Sequence, residues 1–237
     1  MVSKRGRIDQ FIAGTLQVSK KAVRELLITN KVLVDGQFAK SPDLQINEFS
    51  HIECNGVVLR HYQKQYYMLN KPDGVVSATI DDKHPTALGL MIGVNTDMLH
   101  IAGRLDLHST GLLLLTNDAR WSEALMAPEH KVDKKYLVTL ANPLDQQYVE
   151  AFANGMYFEY ENITTLPAQL TVLSSHLARV VLREGKYHQV KRMFGRFRNP
   201  VLALHRESVG EIMLDNQLTP GEFRSLTKAE VDSVFQH

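Results

Sequence analysis

The sequence predicts an α+β protein in two unequal parts, a small unit of two helices with hairpins and a larger domain on a largely antiparallel mixed sheet. Three observations carry that expectation. Within the first sixty residues, two apolar stripes at helical spacing are followed by two Asx-Gly turns. Beyond a polar stretch, RHYQKQ, strand-like apolar runs alternate with short helical stretches. That polar stretch places the divisions at residues 1–60, a linker at 61–65, and a second domain at 66–237.

In the first part, Ile8, Phe11 and Ile12 recur at helical spacing, and Ser19 is placed to cap a second helix with Val23, Leu26 and Leu27 as its buried stripe. Lys20, Lys21 and Arg24 then fall on the neighbouring face. Asn30 suits that helix's C-terminus, and Asp35-Gly36 and Asn55-Gly56 suit tight hairpin turns. A DNA-reading helix-turn-helix satisfies the same periodicity.

In the second part, YYMLN, YLVTL and LTVLSSHLARVVL read as strands, while WSEALMA and YVEAFANG read as helices. Thr227 and Glu230 have the spacing of a capping box opening a last short helix. Leu112 to Leu115 form an apolar run with the length of a strand buried on both faces.

Composition narrows the function classes. A chain of 237 residues with 44% hydrophobic and 22% charged residues can bury a sizeable core. Its only cysteine, Cys54, cannot form an internal disulfide. The polar, basic start MVSKRGRIDQ and the lack of any apolar run near the ~20 residues of a membrane span point to a cytoplasmic protein, neither exported nor inserted. Net charge is only +1, but residues 1–60 carry +3 and residues 183–206 carry +6. Such concentration suits either a polyanion-binding face or a solvated helix face. The ten histidines show no ligand spacing, and Gly-x-Ser-x-Gly and phosphate-cradling Gly-x-x-x-x-Gly-Lys patterns are absent. Neither a metal nor a nucleotide cofactor is expected.

The candidate chemistry begins at GRLDLHSTGLLLLTND, residues 103–118. In an extended Arg104-Leu105-Asp106, the two charged side chains share one side and Leu105 takes the other. Gly103 and Gly111 bracket them, permitting a tight backbone path and close approach by a ligand. An Arg/Asp pair also serves as a structural tether. Downstream, EGKYHQVKRMF (184–194) turns at Gly185 and begins a helix with Val190, Met193 and Phe194 inward and His188, Lys191 and Arg192 on one face. Those basic groups suit phosphates or an ionised carboxylate. In KKYLVTL, Tyr136 follows Lys134 and Lys135. A tyrosine so placed either stacks on a flipped base or packs half-buried in a sheet.

RIDQFIAGTLQVSKKAVRELLITNKVLVDGQ resembles the RNA-binding module of ribosomal protein S-four, which implies that Arg7, Lys20, Lys21 and Arg24 meet structured RNA. LNKPDGVVSA, AGRLDLHSTGLLLLTND, KKYLV and EGKYHQVKRMF, in that order, resemble the pseudouridine synthases of ribosomal RNA, most closely their small-subunit branch. The resemblance implies Asp106 as catalytic carboxylate and Arg104 as the residue organising the pocket and helping extrude the nucleotide. It places Tyr136 on the target uracil and Lys191 beside the carboxylate. Lys71, His188, Gln189 and Arg192 become substrate or RNA contacts, Arg192 alternatively structural. It further implies isomerisation of a 16S rRNA uridine without cofactor, on rRNA or an assembling 30S particle; a monomer is the default, since no association motif appears in the sequence. A large-subunit (23S) synthase and a non-catalytic RNA-binding assembly factor are the alternatives. Three positions depart from the pattern: His108 stands where relatives often have an acid, Ala119 where glycine is common, and Arg198-Asn199-Pro200 in place of Gly-Asn-x.

Overall fold

The computed structural model describes residues 6–159 and 161–236, which form two compact units, Met1–Lys64 and Gln65–His237. Residues 61–65 carry no regular secondary structure.

The first unit packs helices Ile8–Leu16 and Lys20–Ile28 with a four-stranded sheet in the order Gln37–Phe38, Val32–Val34, Ile52–Cys54, Val57–Arg60. Ser19 caps the second helix by accepting from the Ala22 N–H, at 3.2 Å. Both hairpins turn on consecutive left-handed residues, Asp35-Gly36 and Asn55-Gly56, whose twist matches that of paired strands. Ile8, Ile12, Val23, Leu27, Val32 and Ile52 are the buried core, leaving Lys20, Lys21 and Arg24 exposed together.

The second unit is built on a nine-stranded sheet. Along its main path run Gln169–Ser174, Leu177–Leu182, Lys134–Leu140, Val201–Val209, Ser109–Thr116, Tyr66–Lys71 and Phe223–Ser225. Ser109–Thr116 and Val201–Val209 run parallel, pairing Leu204 with Ser109 and Arg206 with Gly111. Every other pairing in this sheet is antiparallel among the described residues. The sheet is therefore mixed but largely antiparallel.

The four leucines divide between its two faces, as a two-residue period requires. Leu113 and Leu115 join Leu69, Val138 and Phe194 under helices Gln146–Asn154 and Gln189–Gly195. Leu112 and Leu114 join Met68 and Trp121 under helix Ala119–Met126. All four have zero exposure. The Thr227–Glu230 capping box is present, and the Trp121 indole N–H donates to the carbonyl of Val231 in the helix it opens, at 3.1 Å.

The departures from the family pattern have local explanations. Arg198 adopts the left-handed conformation, φ 53°, that makes glycine the easier choice. Beside it, fully buried Asn199 bonds the Asn142 backbone and donates to the Tyr148 hydroxyl. Ala119 opens a helix capped by Asp118, where an αR backbone suits any residue.

Candidate active site

Three residues from distant parts of the chain hold the segment from Gly103 to Ser109 in one shape. Leu105 is buried at 7% exposure, and the Ser77 hydroxyl both donates to its carbonyl (2.8 Å) and accepts from its N–H (3.0 Å). Beneath the segment, the Lys71 ammonium donates to the carbonyls of Pro72, Leu107 and Ser109 at 3.0, 3.1 and 2.6 Å. Arg206 donates to Gly103 and Leu112 carbonyls, both at 2.8 Å. A turn closes when the Ser109 N–H donates to the carbonyl of Asp106, at 3.0 Å.

The expectation that Lys71 contacts RNA is corrected by its burial. Its exposure is zero, and its donors are directed to backbone carbonyls. Burial also draws the ammonium down to about 8, against opposing pulls from Asp73 and Asp106. The bracketing glycines likewise make room for protein. A Cβ on Gly111 would stand 2.4 Å from the Arg206 carbonyl oxygen, and one on Gly103 would meet the Met126 sulfur at 2.9 Å. Both have positive φ.

Pinned this way, Arg104 and Asp106 face a cleft while Leu105 turns inward. Asp106 has two nitrogen-bearing neighbours on the helix side of the cleft. Lys191 Nζ lies 3.4 Å from one carboxylate oxygen, and His188 Nε2 lies 3.3 Å from the other. Arg104, its sequence neighbour, is exposed and has no ion-pair partner among the described residues. Tyr136, 9% exposed, lines the same cleft from strand Lys134–Leu140. The neighbouring Lys134 is buried, with its ammonium on the Val132 carbonyl.

Helix Gln189–Gly195 delivers Lys191 because Val190, Met193 and Phe194 fix its inner face. It begins at His188, which takes the left-handed conformation at φ 48°. For a non-glycine residue such a backbone costs about 1–3 kcal/mol, a strain found where position matters. Of the basic residues expected together on this helix, His188 and Lys191 meet at Asp106 and Arg192 turns elsewhere. Gln189 is buried, accepting from the Lys186 N–H and donating to Glu184 at 2.6 Å, so its amide braces the loop at the cleft wall. Arg192 turns to Glu161 at 2.5 Å and lies over the Phe158 ring at 4.2 Å. In the first unit, Arg7 forks onto Asp9 through two bonds of 3.1 and 2.9 Å.

Sequence reasoning missed Ser77 and Arg206 as supports. Nothing in the sequence singles out Ser77. Arg206 had a signal: it shares a two-residue register with Leu204 and Ser208, both buried, marking it as inward-facing. His108, the substituted acid position, pairs with Asp73 at 2.9 Å on the surface.

A family model described as RNA pseudouridylate synthase matches residues 65–195. Relatives named ribosomal small subunit pseudouridine synthase A include one from Pseudomonas aeruginosa, 47% identical over 96% of this chain and 100% of its own length. Another, from Escherichia coli, is 41% identical over 96% of this chain and 99% of its own. A solved structure described as a pseudouridylate synthase superposes with a TM-score of 0.71 at 38% identity, covering 96% of this chain and 99% of that one. On this similarity, the chain belongs to the RNA pseudouridylate synthase family.

Proposed function

We propose that this chain isomerises a uridine of small-subunit (16S) ribosomal RNA to pseudouridine, with Asp106 as the catalytic carboxylate. One observation carries the reading: Asp106 stands in a cleft within 3.4 Å of Lys191 and beside Tyr136. The target class is supported by relatives of 41–47% identity whose names specify the small subunit.

The reaction breaks the bond between a ring nitrogen and the ribose, turns the detached uracil, and joins a ring carbon to the sugar. That carbon loses its proton and the freed nitrogen gains one, so no electrons change hands. One carboxylate suffices, either as nucleophile toward sugar or base or as the base that removes a ribose proton. Lys191 sets a positive charge beside the Asp106 carboxylate as RNA closes over the cleft and displaces water. Tyr136 offers its ring to the target uracil. Arg104, exposed at the rim, helps extrude the nucleotide, an event that costs a few kcal/mol of stacking and pairing. Lys20, Lys21 and Arg24 supply phosphate contacts from the first unit. On this reading the chain acts as a monomer, in the cytoplasm where its ribosomal RNA substrate lies.

The test is incubation with unmodified small- and large-subunit RNA, naked and in partly assembled particles, followed by pseudouridine mapping. Product on the small-subunit RNA is expected. Product only on the large-subunit RNA redirects the target, and no product on any substrate leaves an RNA-binding assembly factor.

A further inference from the structure

A second aromatic ring stands beside the cleft and has no part in the mechanism above. Tyr187 is 77% exposed, yet its ring is stacked on His188 with centroids 3.9 Å apart and planes 19° from parallel. The His188 ring in turn reaches Asp106 at 3.3 Å. Ring, ring and carboxylate thus form a continuous path from solvent to the cleft.

The backbone beneath this path is fixed. The Tyr187 carbonyl accepts a long bond, 3.5 Å, from Arg192, which Glu161 and the Phe158 ring hold in place. His188 occupies its left-handed position between Tyr187 and the helix. With one face of the tyrosine against His188, the side chain is a pre-ordered surface the width of one ring. Little rotamer freedom remains to be lost when a flat ligand docks on it. Lys186, bonded to Glu184, precedes Tyr187 in the chain, and beyond His188 the cleft holds Lys191 and Arg104 with the Asp106 carboxylate.

We propose that Tyr187 is a stacking platform for a nucleobase adjacent to the flipped uridine, with His188 as its backing ring. This rests on the RNA substrate proposed above and adds a second base contact, distinct from that of Tyr136. Every base has a π face, so the platform fixes where the flanking nucleotide lies without demanding its identity.

The test uses synthetic RNA spanning the uridine mapped above, with 2-aminopurine on either side of it in turn. In the wild-type complex, fluorescence at one of the two positions is quenched by stacking. Tyr187→Ala removes that quench and weakens binding about 5- to 100-fold, while Tyr187→Phe retains both. An abasic nucleotide at the same position weakens the wild type by a similar factor and Tyr187→Ala no further. Most of the loss appears in KM. If Tyr187→Ala leaves the quench in place, or lowers kcat with KM unchanged, Tyr187 acts through His188 and the platform is wrong. Should the wild type convert no uridine, the functional reading itself has failed; conversion with an unchanged quench overturns the platform alone.

Discussion

The loop carrying Asp106 has two faces, and the basic side chains on them are held in opposite ways. On the inner face, Lys71 and Arg206 are buried and bond backbone carbonyls. On the outer face, Lys191 and His188 meet a carboxylate that keeps about a third of its side chain exposed. A carbonyl carries only a partial charge, so the inner cations fix shape at a desolvation cost. On the outer face, Lys191 faces a full carboxylate charge that solvent still reaches. Residue type alone does not separate these roles; the neighbouring atoms do.

The largest expected effect lies on the outer face. Asp106→Asn should lower conversion by ~10³-fold or more, as loss of a positioned catalytic carboxylate does, while RNA affinity persists. Pseudouridine mapping with a parallel binding titration reads both, and retained turnover would remove Asp106 from its role.

The inner face is next. Lys71→Met should destabilise the protein by about 3 kcal/mol, because three carbonyls lose a buried donor. Urea unfolding at neutral pH measures it, and a loss under 1 kcal/mol would mean that water replaces the ammonium. A pH signature accompanies it. Lys71 titrates near 8 in the folded protein and near 10.5 when unfolded, so between these values the unfolded chain holds more protons. Stability contributed by this group therefore rises with pH from 8 to 10.5. The margin of wild type over Lys71→Met should widen across that window, and a flat margin would show that the folded ammonium stays charged.

Lys191→Met should reduce turnover by roughly 10²-fold with a smaller change in affinity, since its charge is aimed at Asp106. A loss confined to affinity would reassign Lys191 to phosphate binding. The smallest effect belongs to the outermost ion pair. His108 and Asp73 are 71% and 68% exposed, so His108→Ala should shift unfolding by under about 0.5 kcal/mol. A shift several times larger, read by the same urea titration, would show that the rim braces the loop as the buried cations do.

Local rules made much of the fold legible. Ser19, the two Asx-Gly turns and the Thr227–Glu230 box act within a few residues of themselves, so spacing was enough to find them. Run length likewise marked Leu112 to Leu115 as buried on both faces, and helical spacing marked the inward face of Val190, Met193 and Phe194. The contact between Asp106 and Lys191 joins positions far apart in sequence and was implied by family resemblance alone. What stayed hidden depended on atoms across space. Gly111 is small because another strand's backbone presses on it, and Lys71 is buried because Leu107 and Ser109 turn their carbonyls toward it. No spacing rule distinguishes a lysine that meets carbonyls from one that meets RNA.

The parallel seam between Ser109–Thr116 and Val201–Val209 also sets an order of events during synthesis. At about 5–20 residues per second, Ser109 leaves the ribosome roughly 5–20 s before Leu204, its partner in the sheet. Through that interval the edge beside Asp106 lacks its neighbour, and Tyr136 and Lys191 have still to be made or brought near. The cleft therefore comes into being only when the last third of the chain docks. A nascent chain stalled before Val201 should hold RNA through its first unit and leave every uridine as it found it.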